Sequence, residues 1–204
     1  MKLVFATRNR GKLKELRELL APTRGVELLS LDDLPRVAEI EENGETFADN
    51  ALIKARGVMQ ATGLPALADD SGLEVDALGG DPGVRSARYA GQGASDADRV
   101  ELLLHNLEGV PRERRTARFR CAVAFVDPQD PGLELLHEGS CEGVILERPR
   151  GQGGFGYDPV FHVEELGQTF AEAAPEQKNR LSHRGQAMRR MVAELQDYLA
   201  RQRG

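Results

Sequence analysis

Leu64-Pro65-Ala66-Leu67-Ala68-Asp69-Asp70-Ser71-Gly72-Leu73 decides how the chain is read. Residues 66–68 form a short apolar run that reads as a buried strand, and residues 73–78 read as another. Between them Asp69-Asp70-Ser71-Gly72 reads as a polar break. Upstream, Thr46 followed by Asp49 is a capping pair that opens a helix running to about Thr62 and closed by Gly63. Phe47, Ala51, Ala55 and Val58 mark its apolar face, while Asn50 and Lys54 share one row at the edge of that face.

Farther out the alternation continues. Residues 3–6 are an apolar run of strand type, and Leu13, Leu16, Leu19 and Leu20 recur at helical spacing until Pro22 stops them. Ser95 with Asp98 caps a helix whose apolar content is Val100, Leu102, Leu103, Leu104 and Leu107. Phe119, Cys121, Val123 and Phe125 alternate with period two across residues 116–126. Residues 133–136 and 143–146 read as further strands, and a glycine-rich loop at 151–156 leads into Val160-Phe161. Ala187, Met188, Met191, Val192, Leu195, Tyr198 and Leu199 form one stripe of a C-terminal helix. Helices and strands interleave without repeats, low-complexity segments or a linker, which gives an α/β chain with a mixed sheet.

At 204 residues the chain is of single-domain size, and 40% hydrophobic residues supply a sizeable core. No apolar run approaches the ~18–20 residues that span a bilayer, and the N-terminal residues turn polar too early for a signal peptide. Cys121 and Cys141 are too few for a disulfide framework or a thiolate metal cage. The expected setting is cytoplasmic, with no membrane partner. With 27 Lys+Arg against 33 Asp+Glu the formal charge is -6, which argues against a nucleic-acid polymer as partner. The charge is unevenly spread: residues 1–31 and 176–204 each hold seven Lys/Arg against three acids, while residues 32–81 hold three against twelve. Such blocks are ordinarily solvated faces, or they are two halves of a site that binds a polyanion through cations and a metal through carboxylates.

The motifs discriminate. Thr7-Arg8-Asn9-Arg10-Gly11-Lys12 joins the first strand to the first helix, where backbone N–H groups flanked by cations suit a phosphate. It is not a Walker A loop, because Leu13 follows Lys12. Taken alone it reads as an ordinary polar strand–helix turn. Asp69 and Asp70, two adjacent acids leaving an apolar strand, are costly to bury without a metal or a cation. With Glu42 they offer the oxygen ligands that Mg²⁺ prefers, plus a general base for water. Gly151-Gln152-Gly153-Gly154-Phe155-Gly156 matches a dinucleotide fingerprint formally, but Tyr157-Asp158-Pro159 follows it and no helix starts there. As a flexible loop carrying Phe155 and Tyr157, it suits stacking on a planar base. His105, His137 and His162 have no partners at zinc spacing.

Taken in order, these segments resemble the inosine/xanthosine triphosphate pyrophosphatase family. The matching pieces are Thr7-x-Asn9-x-x-Lys12, Glu42-x-Gly44-x-Thr46-Phe47-x-x-Asn50-Ala51-x-x-Lys54-Ala55 and Ala68-Asp69-Asp70-Ser71-Gly72-Leu73. Pro82-Gly83-x-x-Ser86-Ala87-Arg88-Tyr89, Gly154-Phe155-Gly156-Tyr157-Asp158-Pro159 and Lys178-x-x-x-Ser182-His183-Arg184 complete the set. Arg8 stands where many relatives have a small residue.

The resemblance implies Mg²⁺-dependent cleavage of a deaminated purine nucleoside triphosphate (ITP, dITP or XTP) between its α and β phosphates. It also implies an elongated mixed sheet flanked by helices, one domain over residues 1–204 with two lobes around a central cleft, and a homodimer. By position, Thr7, Arg8, Asn9, Arg10, Gly11, Lys12, Lys54 and Lys178 would hold the triphosphate. Glu42 and Asp70 would hold the metal, with Asp70 the proton acceptor and Asp69 and Asn50 in support. Ser71, Phe155, Gly156, Tyr157, Asp158, His183 and Arg184 would bind sugar and base. The competing expectations are a pyrophosphatase for other modified nucleotides and a nucleotide sensor that does not hydrolyse.

Overall fold

The structure, a computed structural model, describes residues 1–23, 25–34, 37–38 and 40–202. Its elements follow one another as β1 (Lys2–Phe5), α1 (Arg10–Leu20), β2 (Glu27–Ser30), α2 (Phe47–Thr62), β3 (Ala66–Val75), α3 (Asp96–Asn106), β4 (Thr116–Val126), β5 (Glu134–Ile145), β6 (Phe161–Val163), β7 (Gln168–Thr169), α4 (Pro175–Leu181) and α5 (His183–Arg201). The strands form one seven-stranded sheet in the order β2-β1-β3-β4-β5-β6-β7. β1 pairs in parallel with β2 and β3, whereas β5–β6 and β6–β7 are antiparallel, so the sheet is mixed and the α/β expectation holds. No helix among the described residues is long and apolar enough to cross a membrane.

Local sequence explains the helix boundaries. Asn9 caps α1, its side-chain oxygen accepting the N–H groups of Gly11 and Lys12. Thr46 and Asp49 form a complete capping box on α2, and Gly63 ends that helix in the left-handed region at φ 66°, where a Cβ would be strained. Ser95 and Asp98 do the same for the start of α3. Ser182 Oγ accepts the Gly185 N–H and so caps α5.

Two expected breaks are absent. β3 runs unbroken through Asp69-Asp70-Ser71-Gly72, and residues 76–78 turn away from it as a short 3₁₀ segment. The strand survives its acids because cations meet them: Lys12 Nζ lies 2.8 Å from Asp69 Oδ2, and Lys54 Nζ donates to the Asp69 carbonyl at 3.0 Å. β5 is likewise one strand where two were expected. Leu135, Gly139, Cys141 and Ile145 share the inward face, so Glu138, Ser140 and Glu142 between them are its outer face, not an interruption. β2, β7 and α4 had no sequence expectation, each being too short to show periodicity.

By density of contacts the chain divides into two compact units. The first comprises residues 1–70, 121–138 and 186–204, and the second 71–120 and 139–185. The core of the first packs β1, α1 and one face of β4 against the α5 stripe, with Phe5, Leu16, Phe125 and Met191 fully enclosed. The stripe read from sequence is therefore core in its entirety. The second unit has its own core, built from Leu73, Leu103, Phe119, Ile145, Phe161 and Phe170. Phe119 stands 4.5 Å from Phe161 and 6.1 Å from Phe170, ring centre to ring centre.

Candidate active site

In the first unit β1 and α1 deliver the Thr7–Lys12 segment, α2 delivers Asn50 and Lys54, and β3 delivers Asp69 and Asp70. Thr7 is buried and its hydroxyl accepts the Asn9 N–H. Asn9 is committed to capping, so it shapes the turn through its own oxygen. Arg8 is exposed, 3.2 Å from Asp32, and also reaches the carbonyls of Leu31 and Val37. Arg10 opens α1 at an exposed position.

Lys12, Lys54 and three carboxylates form the centre. Lys12 pairs with Asp69, whose side chain is only 1% exposed, and Lys54 Nζ lies 2.8 Å from Glu42 Oε1. Asn50 is 1% exposed, accepts the Gly44 N–H at 2.8 Å and donates to Asp70 Oδ2 at 3.0 Å. Burial alone would pull the Lys54 ammonium down. The charges of Asp69, Glu42 and Asp70, with the Glu42 hydrogen bond, outweigh that, and its pKa lies above the ordinary lysine value. Thr7, Arg8, Lys12, Glu42, Lys54 and Asp69 line a cavity of about 420 Å³ whose remaining wall is apolar, with Leu31, Ile40 and Val58. A cavity with several ammonium and guanidinium donors at its rim can hold a polyanion.

Among the described residues no group of three or more His, Cys, Asp or Glu side chains is arranged as a metal cage. Mg²⁺ does not need one, because it is held by one or two carboxylates together with phosphate oxygens and water. Glu42 and Asp70 are oxygen donors whose charges already act together on one cation, that of Lys54. The donor set fits a divalent ion that arrives with a phosphate chain.

In the second unit the glycine-rich segment is pinned, contrary to the expected flexibility. Gly153 N–H donates to the Ala171 carbonyl and Arg150 N–H to that of Pro159, both within 3.0 Å. Asp158, 3% exposed, accepts the Phe155 N–H at 2.8 Å and an ion pair from Lys178. A second correction concerns Tyr157. Its ring is buried in the core and its hydroxyl donates to the Ser86 carbonyl at 2.9 Å, so it anchors the loop and cannot stack on a base. Phe155 can stack: it is 49% exposed, with Lys178 Nζ 4.6 Å and the Arg184 guanidinium 5.5 Å from its ring centre. Arg184 also donates to Ser71 Oγ at 3.0 Å. His183 is buried and lies flat on the Phe119 ring at 4.8 Å. Ser86 had no assigned role from sequence. Its hydroxyl donates to the Gly83 carbonyl and accepts the Leu73 N–H, tying the segment after β3 back to that strand. Nothing in the spacing of a single serine distinguishes such a role.

Comparison with known proteins agrees with the segment order. The Ham1 family description matches residues 3–194. The chain belongs to the Ham1 family. It is 56% identical over 192 residues to a dITP/XTP pyrophosphatase of Desulforamulus reducens, covering 94% of each chain. The structure is similar to that of a HAM1 protein from Coxiella burnetii, with a TM-score of 0.89 and 44% identity over 97% of this chain and 99% of that one. A nucleoside-triphosphatase / dITP/XTP pyrophosphatase from Mycobacterium abscessus gives a TM-score of 0.78 at 48% identity, over 96% and 97% of the two chains. The Ham1 match reaches into both units and contains every segment, from Thr7 to Arg184, that carries the resemblance.

Proposed function

We propose that this chain hydrolyses deaminated purine nucleoside triphosphates, ITP, dITP and XTP, to the monophosphate and pyrophosphate, with Mg²⁺ as the divalent ion. The observation that carries the reading is the set of Lys12 and Lys54, each held on a carboxylate in a cavity of the first unit. Relatives named dITP/XTP pyrophosphatase point to the same chemistry.

In this mechanism Lys12, Lys54 and Arg8 bind and orient the phosphate chain, and Glu42 and Asp70 would hold the metal. Mg²⁺ supplies charge neutralisation of the phosphate oxygens when bound. Asp70 accepts the proton of the attacking water, and Asn50 fixes the direction of its carboxylate through Oδ2. Asp69, buried against Lys12, holds that ammonium in place. Little covalent work falls to the protein, because phosphoryl transfer depends mainly on positioning and electrostatics.

The second unit offers a base site. Phe155 presents an exposed ring flanked by Lys178 and Arg184, whose nitrogens are donors only. Such an edge favours bases rich in carbonyls. Hypoxanthine has one at position 6 and xanthine a second at position 2, whereas adenine and guanine each bring an amino donor to one of these positions. A donor facing a donor leaves both unpaired, which costs about 1–3 kcal/mol per buried group. The protein is further proposed to act in the cytoplasm as a homodimer, without nucleic-acid or membrane partners.

Incubation with ITP, XTP, GTP and ATP in the presence of Mg²⁺, with pyrophosphate and orthophosphate resolved, tests the proposal. Pyrophosphate is expected first from ITP and XTP. Orthophosphate as the first product, or equal rates on ATP, overturns it. Light scattering tests the dimer.

A further inference from the structure

The loop that presents Phe155 is held by a residue outside every segment assigned to the site. Asp96, the first residue of α3, lies 60 positions before Gly156 and accepts its backbone N–H on Oδ2 at 2.7 Å. Its other oxygen pairs with Arg99. Arg99 is itself fixed, donating to the carbonyls of Ala87 at 2.9 Å and Ala94 at 2.8 Å. The neighbouring Phe155 N–H is taken by Asp158. Two successive N–H groups of the loop are therefore gripped by two different carboxylates, and Phe155 lies between the grips.

We propose that Asp96 is a positioning residue for base recognition: through the Gly156 N–H it fixes the backbone that aims the Phe155 ring. This rests on the base-site reading given above. The grip is needed because Gly154 and Gly156 both sit in the left-handed region, at φ 73° and 61°. Glycine visits many other conformations, so nothing in the loop's own sequence selects this one. A carboxylate accepting a backbone N–H makes a charge-assisted bond, about twice as strong as a neutral one. Burial works against the charge on Asp96, but the Gly156 N–H and Arg99 outweigh it and hold the carboxyl below its ordinary pKa. The group is thus ionised at neutral pH, the state in which it grips best.

A helix-start acid with only a structural role predicts something different. The capping box of α3 is made by Ser95 and Asp98, not by Asp96. Asp98→Ala therefore lowers helix stability without touching the loop and serves as the control. With ITP as substrate, Asp96→Ala is expected to raise KM about tenfold or more while kcat stays within about threefold, the size of effect of one lost charge-assisted bond. Asp96→Asn keeps a neutral oxygen acceptor for Gly156 and is expected to recover about half of the effect in free energy, leaving KM about threefold above wild type. Amide hydrogen exchange of the peptide covering residues 151–160 provides a readout that needs no turnover. It quickens in Asp96→Ala and not in Asp98→Ala.

A KM in Asp96→Ala no higher than that of Asp98→Ala, or unchanged exchange in the loop, overturns the positioning role. A wild-type protein that releases no pyrophosphate from ITP instead overturns the proposed function, and the exchange result then still decides whether Asp96 holds the loop.

Discussion

Gly154 and Gly156 form a matched pair that isolates one contact. Both have positive φ, so alanine at either position incurs the left-handed backbone penalty of about 1–2 kcal/mol. They differ in what a Cβ meets. At Gly156 nothing lies within 4 Å, whereas at Gly154 the added carbon would stand 2.1 Å from Asp158 Oδ2, against a practical limit of 3.0 Å. Asp158 must therefore retreat by about 0.9 Å, the difference between those two distances. It is 3% exposed and holds the Phe155 N–H at 2.8 Å, so such a retreat stretches that bond beyond hydrogen-bonding range and disturbs the Lys178 pair. Losing a hydrogen bond to a charged group adds about 1.5–3 kcal/mol, for a total of about 2.5–5 kcal/mol in Gly154→Ala against about 1–2 in Gly156→Ala. Urea titration reads this as a larger fall in midpoint at unchanged m value. ITP turnover should separate the two further. A displacement of about 1 Å at a positioned group costs on the order of 10²-fold in kcat/KM, while Gly156→Ala should lose less than about tenfold. Equal losses for the two variants in both assays refute the role given to the Asp158 contact.

Four further outcomes are expected. Asp70→Asn lowers pyrophosphate release from ITP by about 10²–10⁴-fold with little change in melting temperature, and wild-type rates reject Asp70 as the base. Asn50→Ala removes the bonds to Gly44 and Asp70, one of them to a charged oxygen, and should cost about 2–4 kcal/mol in urea denaturation; less than about 1 kcal/mol contradicts the part given to this buried amide. Tyr198 bonds to Asp127, and burial, followed by that bond, pushes its phenol from 10.0 up to about 12. The folded state then keeps a proton that the unfolded state releases, so stability is full below pH 10 and falls as pH rises toward 12; the Phe variant should lose this part of the slope. Finally, Mg²⁺ alone should bind weakly, and a non-hydrolysable ITP analogue should tighten it at least tenfold by calorimetry, about 1.4 kcal/mol. Equal affinity with and without the analogue excludes the coupling.

The parts of the fold that were legible in the sequence are those with local causes. Thr46 with Asp49 and Ser95 with Asp98 announced the starts of α2 and α3, because a capping box is satisfied within four residues. The α5 stripe announced itself by periodicity. β3 was misread because the compensation of its acids comes from Lys12, 57 residues away, and from Lys54, 15 away. A strand's own residues cannot show that a distant ammonium will meet its charge. Tyr157 was misread for a related reason: an aromatic in a glycine-rich loop looks exposed until Ser86, 71 positions earlier, supplies an acceptor for its hydroxyl. The order of segments named the candidates for the site. Which side chains reach a ligand and which hold the others in place depended on long-range pairings.

Those pairings also explain how an acidic chain can be suited to a polyanion. Lys12 and Lys54 spend their charge on Asp69 and Glu42. Buried or half-buried ion pairs of this kind add little net stability, because desolvation consumes most of the Coulomb gain. What they do supply is placement. Each ammonium is ordered before a ligand arrives, so less rotamer entropy remains to be lost on binding. A triphosphate alone must compete with the carboxylates for two lysines, and a divalent ion alone must compete with the lysines for the carboxylates. With both bound, the ammonium groups would turn toward phosphate and the ion would sit with Glu42 and Asp70, so each newcomer would relieve the competition that the other meets alone. For the proposed anion binding the net charge of -6 matters less than the local arrangement of five side chains of the first unit: Lys12, Glu42, Lys54, Asp69 and Asp70.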